Sequence, residues 1–304
     1  MSARRLGGLA LALGLVAALV WFVVPEKLAA TLRGARAHWL AAGLSVGVAS
    51  NVLSAWRWQH AAARLFDLDA ARGHLTRVYF EGMALNTVLP GATLGGDAWR
   101  AMQLKARGAP LGVSVLTVLW DRGVGLWVLC LLATLVAGWA VPPAIRAGVL
   151  AVAIAITAGS AAALACLLAW RARLPLGERV RGLLDSLAPA FSRTGPLAAQ
   201  LAYATGVQVL SALALWCFGK AVGLQLGPAE TLVAAAPIFI IAALPVGYSG
   251  WGTREAAAVA VLGAWGVKPE VALATALLYG ASAALQGLGG AVAWLAARAG
   301  AKRA

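Results

Sequence analysis

Apolar runs long enough to cross a bilayer dominate this sequence and limit what it can fold into. They cover residues 6–24, 38–56, 112–139, 147–170, 197–219 and 271–297. A helix of about 20 residues spans the hydrocarbon core, and a backbone in lipid must satisfy its own polar groups. Only 12% of the residues are charged. We expect an all-α polytopic membrane protein with about six full transmembrane helices, forming one integral membrane domain over residues 1–304.

Two further regions, 76–108 and 230–266, are apolar but broken by glycine-rich turns. Each region has two arms of about 12–16 residues, which are too short to span comfortably. The turn segments LPGATLGGDAWRA and LPVGYSGWGTREA resemble each other and lie about half a chain apart. We therefore expect two re-entrant helical hairpins, related as an inverted repeat in the way that many secondary transporters build a substrate site.

The distribution of positive charge predicts the topology. If both termini are cytoplasmic and each hairpin returns to its own side, the cytoplasmic segments hold 17 of the 25 lysines and arginines and the outer segments hold 6. This asymmetry agrees with the positive-inside rule. The first hairpin then enters from the cytoplasm and the second from outside. The net charge of +14 is explained by loops between spans, so no nucleic-acid partner is expected.

The two turns are the expected binding site. Unwound backbone at membrane depth must line a cavity or be buried in protein, and a helix that starts there presents free N–H groups and a positive dipole end. Such helix starts bind anions, and we expect Arg100 and Arg254 to be phosphate ligands. Two roles are open for Asp97 and Glu255. Either each caps its helix and neutralises its arginine, or it is displaced by the substrate or carries a coupling proton.

Asp121 and Arg122 lie inside an apolar run, where ionisable side chains usually face the interior of the bundle. We expect Arg122 to bind Asp97 or the substrate, and Asp121 to hold Arg254. Further candidate cavity groups are Glu81, Asn86, Gln208 and Gln286. The phosphate-binding pattern GxxxxGK[ST] does not occur in the sequence, and the histidines and cysteines lack metal-ligand spacing. No cofactor, metal ion or catalytic residue is therefore expected.

Three motifs carry a family resemblance: NTVLPGATLGGDAWRAMQL at 86–104, Asp121-Arg122, and LPVGYSGWGTREAA at 244–257. Together they resemble the transmembrane region family of lysylphosphatidylglycerol synthases, also called the flippase-like domain family. We expect this chain to lack the soluble aminoacyl-transferase domain of the multi-domain relatives. The resemblance, with the site argument above, assigns as substrate-binding residues Asn86, Gly91, Gly95, Gly96, Asp97, Arg100, Asp121, Arg122, Gly250, Gly252, Arg254 and Glu255.

The resemblance and the anion site together predict a transporter or flippase rather than an enzyme. Its expected substrate is a lipid with an anionic headgroup, either a phospholipid or a polyprenyl-phosphate lipid, and its expected place is the bacterial cytoplasmic (inner) membrane. Two alternatives remain open at this point. One is a membrane transferase that acts on a polyprenyl-phosphate. The other is a non-catalytic partner of a separate synthase or glycosyltransferase.

Overall fold

The computed structural model describes residues 25–88, 94–170, 177–244 and 250–301, with isolated residues elsewhere. Within these ranges every regular element is a helix. The α-helices are α1 Pro25–Arg33, α2 Ala37–His60, α3 Arg72–Val88, α4 Leu94–Lys105, α5 Leu111–Ala140, α6 Pro143–Trp170, α7 Glu178–Ser192, α8 Thr194–Ala221, α9 Pro228–Ala243, α10 Thr253–Gly263 and α11 Pro269–Ala301. A π-helical turn, Ala61–Leu65, continues α2.

Five helical segments of the described ranges are long and apolar enough to cross a membrane. They are α2 with its π-helical turn, α5, α6, α8 and the first part of α11, which confirms five of the predicted spans. The predicted span 6–24 lies almost wholly outside the described residues. One predicted boundary was wrong, because α2 continues to His60 and includes Arg57, which lies just beyond the predicted span 38–56.

Helices α2 and α8 form an antiparallel pair along their whole length. At one end the ring Nε2 of His60 lies 2.9 Å from the Pro196 carbonyl oxygen. At the other end the Arg36 amide donates to the Ala221 carbonyl at 3.0 Å. We call these the His60 end and the Arg36 end of the bundle. Gly43, on the buried face of α2, leaves room for a side chain of α8.

Helices α3 and α4 pack antiparallel, and both outer ends lie at the His60 end. The Gly96 amide donates to Asn86 Oδ1 at 2.6 Å, and Trp99 Nε1 donates to Glu81 Oε2 at 2.9 Å. Residues 89–93, which connect the two helices, lie outside the described residues. Gly95 and Gly96 were predicted to lie in an unwound turn, but they belong to the first turn of α4.

The glycine at position 96 is needed for helix packing. A Cβ there would overlap the Gly82 carbonyl oxygen of α3 and approach the Asn86 side chain. The same close approach recurs where α11 crosses α3, since a Cβ at Gly290 would overlap the Phe80 carbonyl oxygen. Glycines therefore bring α4, α3 and α11 together at backbone distance.

Helices α9 and α10 form a second pair at the Arg36 end. Trp216 of α8 donates to the Leu226 carbonyl, just before α9, at 3.0 Å. Trp265, just after α10, donates to the Ala140 carbonyl at the end of α5, also at 3.0 Å. Gly250 and Gly252 have φ of 76° and 84°, so the chain is unwound immediately before α10, as predicted. The residues 245–249 lie outside the described ranges.

Candidate functional site

Five charged side chains from three helices form a buried group, which we call the arginine–aspartate cluster. Its members are Arg57, Asp97, Arg100, Asp121 and Arg122. Helix α5 contributes the adjacent pair Asp121 and Arg122 at its eleventh and twelfth residues, about 16 Å along the helix axis at 1.5 Å per residue. The cluster therefore lies inside a membrane-spanning helix, on the side of its middle nearer the His60 end.

The carboxylate of Asp121 is the centre of the cluster. Arg57 Nε donates to Oδ1 at 2.8 Å, and Arg100 Nη2 donates to Oδ2 at 2.7 Å. Arg57 Nη2 also donates to the Asp121 backbone carbonyl at 3.0 Å. The expected pairing of Asp121 with Arg254 was wrong. Helices α2 and α4 bring the guanidinium groups of Arg57 and Arg100 to Asp121. Arg254 instead binds its sequence neighbour Glu255.

Asp97 and Arg122 form the more accessible part of the cluster. Arg122 Nε and Nη2 donate to the two Asp97 oxygens at 3.0 and 2.9 Å, which is the two-pronged geometry that a guanidinium offers to a carboxylate or a phosphate. This confirms the expected pairing of Arg122 with Asp97. Arg100 also contacts Asp97 at 3.5 Å, one turn along α4. The Arg122 side chain is 40% exposed, whereas that of Arg100 is 3% exposed.

The guanidinium of Arg100 is enclosed by aromatic rings. It lies 4.3 Å from the ring centroid of Trp58 and 5.0 Å from that of Tyr79, at cation–π distance. Trp58 is fully buried and donates to Thr117 Oγ1 at 3.2 Å. Arg100 is thus enclosed between two rings and two carboxylates and is only 3% exposed, so it is less accessible to an incoming anion than Arg122.

The cluster carries more positive than negative charge, since three guanidinium groups face two carboxylates. Two of its buried nitrogens, Arg57 Nη1 and Arg100 Nε, have no hydrogen-bond partner within the described ranges. A buried donor without a partner is costly, so these two N–H groups remain available to an acceptor that enters the cluster. Gly125 keeps this space open, because a Cβ at that position would lie 2.9 Å from Arg57 Nη1.

A second charged site forms at the start of α10. Arg254 Nε and Nη2 donate to Glu255 Oε1 at 2.9 and 2.7 Å, and the Gly252 amide donates to Glu255 Oε2 at 2.6 Å. Glu255 thus caps its helix and neutralises its arginine, as the first of the two sequence readings holds. A Cβ at Gly280 of α11 would overlap Arg254 Nη2, so backbone closes this site on one side.

The predicted site residues therefore fall into two groups. The first group lies in or against the arginine–aspartate cluster and contains Asn86, Gly95, Gly96, Asp97, Arg100, Asp121 and Arg122. The second lies at the start of α10 and contains Gly250, Gly252, Arg254 and Glu255. Gly91 lies outside the described residues.

Sequence reasoning missed Arg57, Trp58 and Tyr79. Arg57 stands at the end of an apolar run, where a basic residue is typical of a loop. The charges inside the predicted site were already balanced without it, so nothing in the sequence called for a further arginine. Two predicted cavity groups do lie in the interior. Gln208 Nε2 donates to the Gly125 carbonyl at 2.9 Å, and Gln286 Oε1 accepts from Asn51 Nδ2 at 2.8 Å.

Long apolar helices with an arginine–aspartate cluster among them define the class, a multi-pass α-helical membrane protein. The family model described as the lysylphosphatidylglycerol synthase TM region matches residues 6–290. This match covers most of the chain, and the protein belongs to that family. Comparison with curated proteins gives no match.

Proposed function

We propose that this protein moves a lipid with an anionic headgroup between the leaflets of the bacterial cytoplasmic membrane, as a transporter and not as an enzyme. The observation that carries the proposal is the Arg122–Asp97 pair. A half-exposed arginine, held by a carboxylate in the geometry that a phosphate also takes, stands at the edge of a buried cluster with one excess positive charge. A headgroup phosphate replaces Asp97 on Arg122, and the lipid tails stay in the bilayer.

The two short helix pairs support a transport role. We propose that α3–α4 and α9–α10 are re-entrant hairpins of an inverted repeat. The outer ends of α3–α4 lie beside the end of α2, and those of α9–α10 lie beside the ends of α5 and α8. Each pair thus returns to the end of the bundle from which it starts, and the two pairs start from opposite ends. Such opposed broken helices are how many transporters place a binding site between two faces.

The charge distribution orients this arrangement. We propose that the His60 end faces the cytoplasm, with both termini on that side, because the loops at that end carry most of the lysines and arginines. Arg122 is then the anion ligand nearer the cytoplasm, and Arg254 belongs to the hairpin that enters from outside. Glu255 occupies Arg254 and the Gly252 amide, so this second site opens to an anion only when Glu255 moves away.

The test is leaflet movement in vesicles that contain only the purified protein. Fluorescent phosphatidylglycerol is followed by chemical quenching of the outer leaflet. We expect the wild type to move the lipid and Arg122→Gln to move it about tenfold more slowly, which corresponds to about 1.4 kcal/mol. Arg33→Gln is the matched control, since Arg33 is an exposed arginine at the opposite end of the bundle, and it should keep the wild-type rate.

Two results would overturn the proposal. One is an Arg122→Gln protein that is folded and moves phosphatidylglycerol and fluorescent polyprenyl-phosphate at the wild-type rate. The other is a wild-type protein that moves neither lipid. Each lipid is assayed separately, so that an active protein with the second substrate is not scored as inactive.

A further inference from the structure

Arg57 belongs to the arginine–aspartate cluster but lies away from its accessible edge. Its side chain is 6% exposed, whereas that of Arg122 is 40% exposed. Within the described residues, the hydrogen bonds of Arg57 go only to the carboxylate and the backbone carbonyl of Asp121. Arg57 therefore makes no hydrogen bond to the Arg122–Asp97 pair, at which the headgroup phosphate is proposed to bind.

Arg57 nevertheless supplies the excess positive charge of the cluster. Asp97 binds Arg122 at 2.9 Å and Arg100 at 3.5 Å. Asp121 binds Arg100 at 2.7 Å and Arg57 at 2.8 Å. An arginine stays protonated in a protein, so three positive charges face two negative ones. Without Arg57 the two signs would be equal in number, and every remaining charged group of the cluster would still have a partner.

No other buried acid is available to balance Arg57. All eleven Asp and Glu residues lie in the described ranges. Outside the cluster, the buried ones are Glu81 and Glu255. Glu81 has Arg77 as its partner at 3.3 Å, and Glu255 has Arg254 at 2.7 Å. The single excess positive charge therefore stays in the cluster.

The net charge of a headgroup is the property that this excess distinguishes. Every phospholipid offers a phosphate to Arg122, so that contact alone does not separate one headgroup from another. In the membrane interior, where the effective dielectric constant is low, a unit charge acts beyond its direct contacts. A monoanionic headgroup makes the loaded cluster neutral. A zwitterionic headgroup leaves one buried positive charge uncompensated, which is costly.

We propose that Arg57 is a specificity-determining residue, which makes the protein prefer headgroups of net negative charge without touching them. Its effect comes from the number of charges in the cluster and not from a hydrogen bond to the substrate. This inference rests on the proposed function, because it assigns the residue that selects among the lipids that are moved. A change that restores the number of charges should therefore restore the preference, even when Arg57 itself is absent.

Lipid movement by the purified full chain in vesicles tests the inference. Three fluorescent phospholipids with the same tails are compared. Phosphatidylglycerol and phosphatidylethanol are monoanions, and phosphatidylethanolamine differs from phosphatidylethanol only in its ammonium group, which makes it zwitterionic. We expect the wild type to move both monoanions about tenfold faster than phosphatidylethanolamine, which corresponds to about 1.4 kcal/mol. Because phosphatidylethanol has no headgroup hydroxyl, similar rates for the two monoanions separate net charge from hydrogen bonding.

Arg57→Gln removes the excess charge and keeps a side chain that can donate to Asp121. We expect this variant to lose the preference, so that the three lipids move at similar rates. The double variant Arg57→Gln/Asp121→Asn removes one charge of each sign and restores an excess of one. It should regain a preference of about tenfold for the monoanions, which a merely structural role of Arg57 would not produce.

Gln208→Glu reaches the same charge by another route and leaves Arg57 in place. The side-chain nitrogen of Gln208 and Arg57 Nη1 border the same point beside Gly125, where a Cβ would lie 3.2 and 2.9 Å from them. A carboxylate at position 208 would therefore stand close to the unpartnered Arg57 Nη1. We expect Gln208→Glu to lose the preference as Arg57→Gln does, and it carries the test if Arg57→Gln does not fold.

Arg64→Gln is the matched control, because Arg64 is an exposed arginine on the π-helical turn that continues α2. It loses the same charge outside the cluster and should keep the wild-type preference. A folded Arg57→Gln or Gln208→Glu protein that keeps the preference would overturn the inference, as would a folded double variant without one. Equal movement of all three lipids by the wild type would overturn it and leave the proposed function standing. A wild type that moves none of them would instead remove the proposed function and this inference with it.

Discussion

The guanidinium of Arg100 and the carboxylate of Asp121 form an ion pair across 2.7 Å, with 3% and 2% of their side chains exposed. Arg57 binds the other oxygen of the same carboxylate at 2.8 Å. Asp121 is therefore the shared counter-charge of two buried arginines. This arrangement separates a fixed part of the cluster, around Asp121, from an accessible part, around Arg122.

Loss of the shared carboxylate should be severe. Asp121→Leu leaves two buried guanidinium groups without their partner, and we expect it to lower the free energy of unfolding by about 3–5 kcal/mol. The measurement is denaturant-induced unfolding in detergent micelles. Asp69→Leu is the control, since Asp69 is an exposed acid 3.8 Å from Arg107, and it should change the value by less than about 1 kcal/mol. Equal effects of the two variants would contradict the ion-pair assignment.

Two adjacent glycines of α11 should respond very differently to a methyl group. A Cβ at Gly290 would overlap the Phe80 carbonyl of α3, whereas a Cβ at Gly289 meets no atom within 4 Å. We expect Gly290→Ala to destabilise the protein by about 1–3 kcal/mol through overpacking. Gly289→Ala should be neutral or slightly stabilising, because alanine is the better helix former. Thermal unfolding of both variants gives the comparison, and similar midpoints would contradict the packing of α3 on α11.

The outer ends of each short helix pair should label from one side of the membrane, and the two pairs from opposite sides. Arg72→Cys and Arg107→Cys mark the first pair, and Gln225→Cys and Lys268→Cys mark the second. We expect an impermeant maleimide to reach the first two only from the cytoplasmic face and the last two only from the outer face. The background protein carries serine in place of Cys130, Cys166 and Cys217.

That labelling experiment has a clear contrary outcome. If Arg72→Cys and Arg107→Cys react from opposite faces, the first pair crosses the membrane and is not re-entrant. The same holds for the second pair and its two positions. The unmodified serine background, which should not react, controls for labelling at other groups.

Asp67 and Arg193 join two segments outside the spanning helices and should respond to acid. Arg193 Nη1 donates to Asp67 Oδ1 at 2.8 Å, and this hydrogen bond holds the pKa of Asp67 below its usual 3.8. Because the pKa of Asp67 is lower in the folded protein than in the unfolded chain, the ion pair stabilises the fold at pH values above the unfolded pKa. This stabilisation is lost as the pH falls below about 4.

The Asp67 titration can be read directly. Isotope-edited NMR of the side-chain carboxyl should give a pKa below 3.8 in the wild type and a higher value in Arg193→Gln. The control is Arg33→Gln, because Arg33 is an exposed arginine that lies at the other end of the bundle. This change should leave the Asp67 titration unchanged. An unshifted Asp67 pKa in Arg193→Gln would show that the pair does not persist in solution.

The sequence predicts the helices well because spanning a bilayer needs length and apolarity, and both can be read residue by residue. It also predicts the pairing of Arg122 with Asp97 and the capping role of Glu255, since these acids and arginines stand alone in apolar surroundings. It misses Arg57, because a basic residue at the end of an apolar run is usual in a loop. Only the three-dimensional approach of α2 to α5 brings Arg57 to Asp121.

The sequence likewise misassigns Gly96. A glycine-rich segment after a proline is typical of a turn, yet Gly96 is helical and serves the contact with Gly82. A local pattern cannot distinguish a glycine that frees the backbone from one that admits a neighbouring helix.

The unequal number of arginines and aspartates in the cluster has an electrical consequence. A bound monoanion cancels the single excess positive charge, so a loaded cluster is neutral and an empty one is not. In the proposed transport cycle, a conformational step of the loaded protein then feels little of the transmembrane voltage, whereas the return of the empty protein feels about 2.3 kcal/mol per 100 mV for a full unit charge moved across. Voltage would act on the speed at which the protein resets and not on the lipid it carries.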